Sequence, residues 1–295
     1  MAADTFASPD GMTLAPRLLF LAALLAPAAP HMAMAGEREV ARMVSFGGAC
    51  AGCELSGRKL VGARFIGANF AGAALVGSDL RTSRFIGSNF ARADLSRADL
   101  SETGMAGANF ARANLSGARL RGAELRGTNL AGANLSGADA TGVEAQGGNF
   151  TRAVLGRTQL AGAQLLGALF TGVDARNASF RDAGLQAAVL TNGRFDGASF
   201  QGADLGQAIL TGSSFAGADF RDADLGGAVI AGADLSRARG LTQGQLDEAC
   251  ADARTRPPGR LTVRACSGIR LFVRRSVPPP APQSPPAPRH LVMAD

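Results

Sequence analysis

Arg64-Phe65-Ile66-Gly67-Ala68-Asn69-Phe70-Ala71 returns twenty residues later as Arg84-Phe85-Ile86-Gly87-Ser88-Asn89-Phe90-Ala91. Within each copy the phenylalanines stand five apart, and that spacing runs far beyond the two copies. From Leu55 to Leu235 every fifth residue is a centre, 37 in all, and each is Leu or Phe except Met105, Ala140, Ala145, Ala175 and Ile230. A small residue, usually Ala, precedes most centres by two positions, as in Ala108-Asn109-Phe110. Gly follows the centre by two at 23 of the 37 positions.

A spacing of five fits neither regular structure. In an α-helix five residues advance a side chain by about 140° beyond one turn, so the centres would circle the axis. In a straight strand an odd spacing sends alternate centres to opposite faces. Centre and centre-minus-two do point the same way in an extended segment, so both face one core if the chain turns a corner in every five residues. Gly after the centre suits such a corner because it adopts positive φ without a steric penalty. The twenty-residue recurrence then gives four sides per coil, with like residues stacked at the strand spacing of about 4.8 Å. Phe70, Phe90 and Phe110 are expected to form one internal ladder, continued by Phe150 and Phe170, and Phe180, Phe200 and Phe220 another. About nine coils make a rod roughly 45 Å long at that spacing.

These residues resemble the pentapeptide-repeat family, whose pattern is A-(D/N)-(L/F)-x-G. The resemblance covers residues 55–238 and implies an all-β solenoid, a right-handed quadrilateral β-helix. Some family members resemble duplex DNA in shape and charge and protect DNA gyrase from quinolone drugs, while many have no assigned activity. In Val143-Glu144-Ala145 and Val173-Asp174-Ala175 the larger side chain takes the small position and Ala the centre, a swap that roughly conserves core volume.

The flanks read differently. Arg17, the apolar run 18–26 and the sequence Ala33-Met34-Ala35 make residues 1–35 a secretory signal peptide. The apolar run is too short to span a bilayer, which takes about 20 residues. Cleavage would leave a periplasmic or extracellular chain without a transmembrane span; the alternative is an uncleaved amphipathic segment. Residues 36–54 are assigned to an N-terminal cap and 239–276 to a C-terminal one, since a solenoid must cover its end strands. Thr242 and Gln245 carry a capping-box signature, with Leu241 and Leu246 as a hydrophobic staple, so a short helix is expected through about Ala251. Leu261–Val263 and Ile269–Val273 alternate as strands do, and 277–295 is a Pro-rich, disordered or extended tail.

Four cysteines fall as two near pairs, Cys50 with Cys53 and Cys250 with Cys266. In an exported chain these read as disulfides, and pairing within each end is the most economical of three connectivities. A redox C-x-x-C is the alternative, but no thioredoxin-like βαβ pattern surrounds it. A zinc site using all four would require the two ends of the rod to meet.

Writing the outward residues in columns of twenty singles out the side centred on Phe70. Before its centres stand Asn69, Asn89, Asn109, Asn129 and Asn149, then Leu169, Val189, Ile209 and Val229. After them come Ala71, Ala91, Ala111 and Ala131, then Thr151, Thr171, Thr191 and Thr211. An aliphatic ladder beside a threonine ladder usually marks a contact: a protein or envelope partner, a homodimer through this flat side, or the chain's own segment 261–273 folded over it. The other readings are incidental exposure and an ice-binding face, for which a threonine column of four is short.

Composition bears on the chemistry. The chain has no Trp or Tyr, a single lysine (Lys59) and two histidines, His31 in the leader and His290 in the tail. No catalytic residue, metal ligand or cofactor-binding residue is assigned, and the rod is read as a non-enzymatic structural or interaction module of the cell envelope. The net charge of +6 becomes +7 after loss of Arg17, Asp4 and Asp10. Residues 50–150 carry 11 basic and 8 acidic groups, and 151–240 carry 8 of each. A rod so near neutrality, behind a leader, does not suit DNA mimicry, and without Tyr or Trp for stacking no nucleic-acid partner is expected. A third reading, a carbohydrate-active solenoid using Asp219, Asp222 and Asp224, lacks a groove in so regular a surface.

Overall fold

The computed structural model describes residues 48–266. The leader, most of the N-terminal cap, the Ile269–Val273 alternation and the Pro-rich tail lie outside the described residues.

Parallel bridges join residues twenty apart without a slip from Ala49↔Asn69 to Asp219↔Arg239. The ladder thus starts one repeat ahead of Leu55. Three backbone hydrogen bonds recur at each repeat. The centre donates to the next coil, as Phe70 N–H does to Asn89 O at 2.7 Å. The residue before the centre donates to the previous coil, as Asn89 N–H does to Ala68 O at 2.8 Å. The second residue after the centre donates forward again, Gly72 N–H to Ala91 O at 2.9 Å. Between these, Ala73 N–H closes a four-residue turn on Phe70 O at 3.0 Å.

The third residue of that turn has positive φ at every corner from Gly57 to Gly232, the arrangement of a type II turn. Thirteen of these corners are not glycine. Thr82, Arg92, Arg97, Ala187 and Gln207 all stand between +54° and +58°, a conformation that costs an L-residue about 1–2 kcal/mol. They hold it because the turn hydrogen bond and the bonds to adjacent coils fix the backbone on both sides of them.

The core is a column of rings and aliphatic side chains on each side. Phe70 stacks on Phe90 and Phe90 on Phe110, each with centroids 4.8 Å apart. Phe150 and Phe170 repeat this at 4.8 Å, and Phe180, Phe200 and Phe220 at 5.0 and 5.1 Å. Around each bend the rings meet edge to face, Phe65 with Phe70 at 5.4 Å. Both arrangements are favourable for aromatic quadrupoles at these distances. Val143, Ala145, Val173 and Ala175 are all buried, so the swapped repeats still fill the core. Hydroxyls at inward positions find carbonyls: Ser78 donates to Leu75 O at 2.8 Å, and Thr103 to Leu80 O one coil earlier at 3.0 Å.

At the end of the rod the register changes. Val229 bridges Cys250 and Asp234 bridges Arg256, spacings of 21 and 22, because the helix α1 (Gln243–Glu248) is inserted into the coil. Thr242 and Gln245 form the capping box, and the Gln245 amide also donates to Phe220 O at 3.0 Å and Ala223 O at 2.8 Å. Leu246 is fully buried. The helix stops at Glu248, short of Ala251, because Gly227 N–H takes Glu248 O and Ile230 N–H takes Cys250 O as the chain rejoins the ladder. Leu261–Val263 do not form a strand; only Ala265 bridges, to Ala251.

Two substitutions with opposite signs follow. Ala187→Gly should stabilise the rod by about 0.5–1 kcal/mol, relief of left-handed strain outweighing the extra chain entropy. Gly193→Ala should destabilise it by about 1–3 kcal/mol through overpacking, although Ala is the usual residue at inward positions, because a Cβ there would lie 2.5 Å from the Phe195 ring. Denaturant unfolding measures both.

Candidate functional site

The side centred on Phe70 changes character halfway along. In its first half the asparagine column is a hydrogen-bonded ladder: Asn89 donates to Asn69 at 3.1 Å, Asn109 to Asn89 at 3.0 Å and Asn129 to Asn109 at 3.1 Å. Each side-chain oxygen also accepts the backbone N–H two residues on, as Asn109 does from Ala111 at 3.1 Å. The amides are therefore occupied among themselves, and this half presents a satisfied polar surface.

In the second half Leu169, Val189, Ile209 and Val229 are joined by successive parallel bridges and point outward. Leu169 is 39% and Ile209 37% exposed, while Val189 and Val229 are half-buried between rungs. Thr171, Thr191 and Thr211 line the neighbouring corner, also half-buried. Of the segment 261–273 considered as a cover for this column, residues 261–266 are held elsewhere, and 267–273 lie outside the described residues. Thr262 exchanges hydrogen bonds with the Gln243 side chain, Ala251 N–H bonds Arg264 O and Cys266 N–H bonds Ala251 O, which keep the segment at the end of the rod. Cys250–Cys266 fastens it there, and Cys50–Cys53 bridges one corner of the first coil. All four cysteines are paired in these two disulfides.

The other three sides carry charge, part of it neutralised by local ion pairs. Arg81, Arg176 and Arg221 each bond the carboxylate two residues before them, at 2.8, 2.7 and 2.6 Å. These hydrogen bonds hold Asp79, Asp174 and Asp219 below the usual carboxylate range. Asp219, Asp222 and Asp224 do not make a catalytic pair: Asp219 is held by Arg221, Asp222 is a corner residue with positive φ, and Asp224 accepts the Gly226 N–H at 2.7 Å. A shallow groove of about 330 Å³ is lined by Ser136, Val154, Gly156, Arg157, Asp174, Arg176 and Asn177, and its carboxylate is the one paired with Arg176. Among the described residues no group of His, Cys, Asp and Glu is placed to hold a metal ion. Nor is any helix among them long and apolar enough to cross a membrane.

One carboxylate is strongly perturbed. Desolvation pushes the Asp252 carboxyl up, but hydrogen bonds from Arg254, Gly232 N–H and Thr255 outweigh it and bring it to about 2. A pKa depressed in the folded state contributes stability above the ordinary carboxylate range and loses it as the pH falls. The 2.7 Å bond from Gly232 to Asp252 ties the last full coil to the segment after α1. Between pH 4 and about 2 the Gly232 amide should therefore lose hydrogen-exchange protection, and Asp252→Asn should remove that pH dependence. On the polar half, Asn109→Ala should cost about 1–2 kcal/mol, since it removes one side-chain donor and leaves the Asn129 amide and the Ala111 N–H without their acceptor.

The sequence matches the model of the pentapeptide repeats in overlapping stretches from 50–87 to 198–237, more than half of the chain. Among solved structures, HetL, a pentapeptide repeat protein involved in heterocyst differentiation regulation from the cyanobacterium Nostoc sp. strain PCC 7120, is 30% identical. The match covers 74% of this chain and 93% of HetL, with a TM-score of 0.41. QnrB1, a plasmid-mediated fluoroquinolone resistance protein, is 22% identical over 67% of this chain and 93% of its own, with a TM-score of 0.36. A pentapeptide repeat protein of the Arabidopsis thaliana thylakoid lumen is 29% identical over 35% of this chain and 68% of its own, with a TM-score of 0.31. No curated protein sequence matches. The repeat model covers more than half of the chain and the four-sided coil agrees with it: this chain belongs to the pentapeptide-repeat family, the family of the right-handed quadrilateral β-helix.

Proposed function

We propose that this protein is an exported, non-enzymatic interaction rod of about nine coils. In this reading α1 and the two disulfides close its ends, and it docks a flat protein partner, including a second copy of itself, through the second half of the Phe70 side. The observation that carries this is the open aliphatic column Leu169, Val189, Ile209 and Val229, aligned rung by rung beside Thr171, Thr191 and Thr211. A surface held by backbone bonds at every rung changes little on binding, so ordering it for a partner costs little entropy. The stacked β-branched and aliphatic side chains supply apolar area, and the threonine hydroxyls beside them supply hydrogen bonds at the same spacing.

Charge supports a protein partner rather than mimicry of DNA. The rod from 50 to 240 carries 19 basic and 16 acidic groups, summed from its two halves, and many of the acids are paired with arginine. Export rests on the leader pattern in residues 1–35 and on four cysteines that are all in disulfides, as suits an oxidising compartment.

The test is a double substitution, Leu169→Asp with Ile209→Asp, in the full chain. Both side chains are exposed, so the melting temperature should change little. Light scattering after size exclusion, and cross-linking in envelope extracts, should lose by tenfold or more any dimer or complex formed by the parent. A parent that is monomeric and captures no partner, or a complex unaffected by the substitutions, contradicts the proposal.

A further inference from the structure

Cations in the middle of a side generally stand one rung from a carboxylate. Arg119 pairs with Asp99 at 3.8 Å, Arg194 with Asp174 at 3.9 Å and Arg256 with Asp234 at 3.6 Å, each across one turn of the coil. Arg239 stands over Asp219 and helps to lower its pKa. Arg64 and Arg84 break this pattern. They bridge each other on successive rungs, and the next residue in their column is Gly104. Both are exposed, and neither makes an ion pair among the described residues. Beyond Gly104 the Glu124 carboxylate leans toward Arg84 without closing an ion pair, so the two like charges on successive rungs are left to repel each other.

Three of the four corners around this pair are apolar, and the fourth holds Arg81, paired with Asp79 at 2.8 Å. Ile66 is 71% exposed, Val61 50% and Ile86 43%, three of the most exposed large hydrophobic side chains described. Ile66 and Ile86 occupy successive rungs of one corner, since Gly67 N–H bonds Ile86 O at 3.0 Å. Val61 lies at the opposite corner, two residues after the exposed Lys59. Further along the same side the column turns acidic, with Glu124, Glu144, Asp204 and Asp224.

We propose that this patch, Lys59, Val61, Arg64, Ile66, Arg84 and Ile86, docks the N-terminal end of the rod on an anionic phospholipid surface. A lipid phosphodiester between Arg64 and Arg84 supplies the missing negative charge, and guanidinium matches phosphate oxygens in a bidentate fork. Ile66 and Ile86, projecting beyond the arginine backbones at the corner, enter the boundary between headgroups and acyl chains. The acidic residues toward the other end of that side are repelled by the same surface, so contact is confined to the first coils. This inference does not depend on the aliphatic column of the Phe70 side.

The experiment uses the full chain with an environment-sensitive dye on Ile86→Cys, and on Thr211→Cys as the control position. Probes are vesicles of phosphatidylcholine alone, vesicles of phosphatidylcholine with phosphatidylglycerol, and inorganic phosphate without lipid. The dye at position 86 should shift to shorter wavelength only with the phosphatidylglycerol vesicles, and the dye at 211 should not shift. In the chain carrying Arg64→Gln and Arg84→Gln the affinity should fall about thirtyfold, about fivefold for each cation. Because these side chains are exposed, an unchanged circular dichroism spectrum verifies that the variant is folded. A dye at 86 that stays in water with anionic vesicles overturns the proposal, even where the apolar run of the leader binds them. So does a response to inorganic phosphate alone, or a dye already buried without lipid, which would mean that a protein segment or a second copy covers the patch.

Discussion

The constraint on which this molecule depends is the satisfaction of its backbone between coils. Every rung offers N–H groups upward and downward, and each finds a carbonyl of the adjacent coil only if the chain returns to the same place after twenty residues. That requirement makes the corner obligatory, with positive φ even where the residue is Thr, Arg or Ala. It fixes which side chains face inward, so that Phe rings stack at 4.8 Å because their backbones do. Core packing and backbone pairing reinforce each other at each rung, and no long-range tertiary arrangement has to be specified separately.

Much of this is legible in the sequence because one repeat acts on one rung. The centres, the inward alanines, the four sides and the internal Phe ladders follow from spacing alone. So does the capping box of Thr242 and Gln245, whose residues are local to one turn of helix. What spacing does not reveal are the places where a side chain serves two neighbours. Gln245 completes the capping box and also bonds the carbonyls of Phe220 and Ala223. The insertion of α1 shifts the register to 21 and 22 residues, which no repeat count anticipates. The alternation in Leu261–Val263 suggests a strand, but hydrogen bonds to Gln243 and Ala251 and the Cys250–Cys266 disulfide hold that segment at the rod's end.

The surface shows the same division. The columns could be written from the sequence, and the aliphatic and threonine ladders are where those columns place them. Their hydrogen bonding could not be read in advance, because an asparagine column is a linked ladder only when rung spacing and side-chain rotamer agree. Charge is similar: paired columns and the unpaired Arg64–Arg84 stack look alike as composition and differ only once neighbours are assigned. The result is a rod whose sides are distinct surfaces on one rigid lattice, polar and self-satisfied in one place, apolar in another and basic at one end.

The most direct test of the account is a pair of engineered cross-links. Cysteines placed at Asn109 and Asn129, which bridge each other on successive rungs, should form a disulfide on mild oxidation, because bridged positions on adjacent strands approach to within the roughly 4.4–6.8 Å Cα separation that a disulfide allows. Cysteines at Asn114 and Asn129, closer in sequence but on adjacent sides of the coil, should not. Mass spectrometry of the oxidised chains distinguishes the two. Cross-linking of the fifteen-residue pair with none of the twenty-residue pair would contradict the four-sided coil and every surface derived from it.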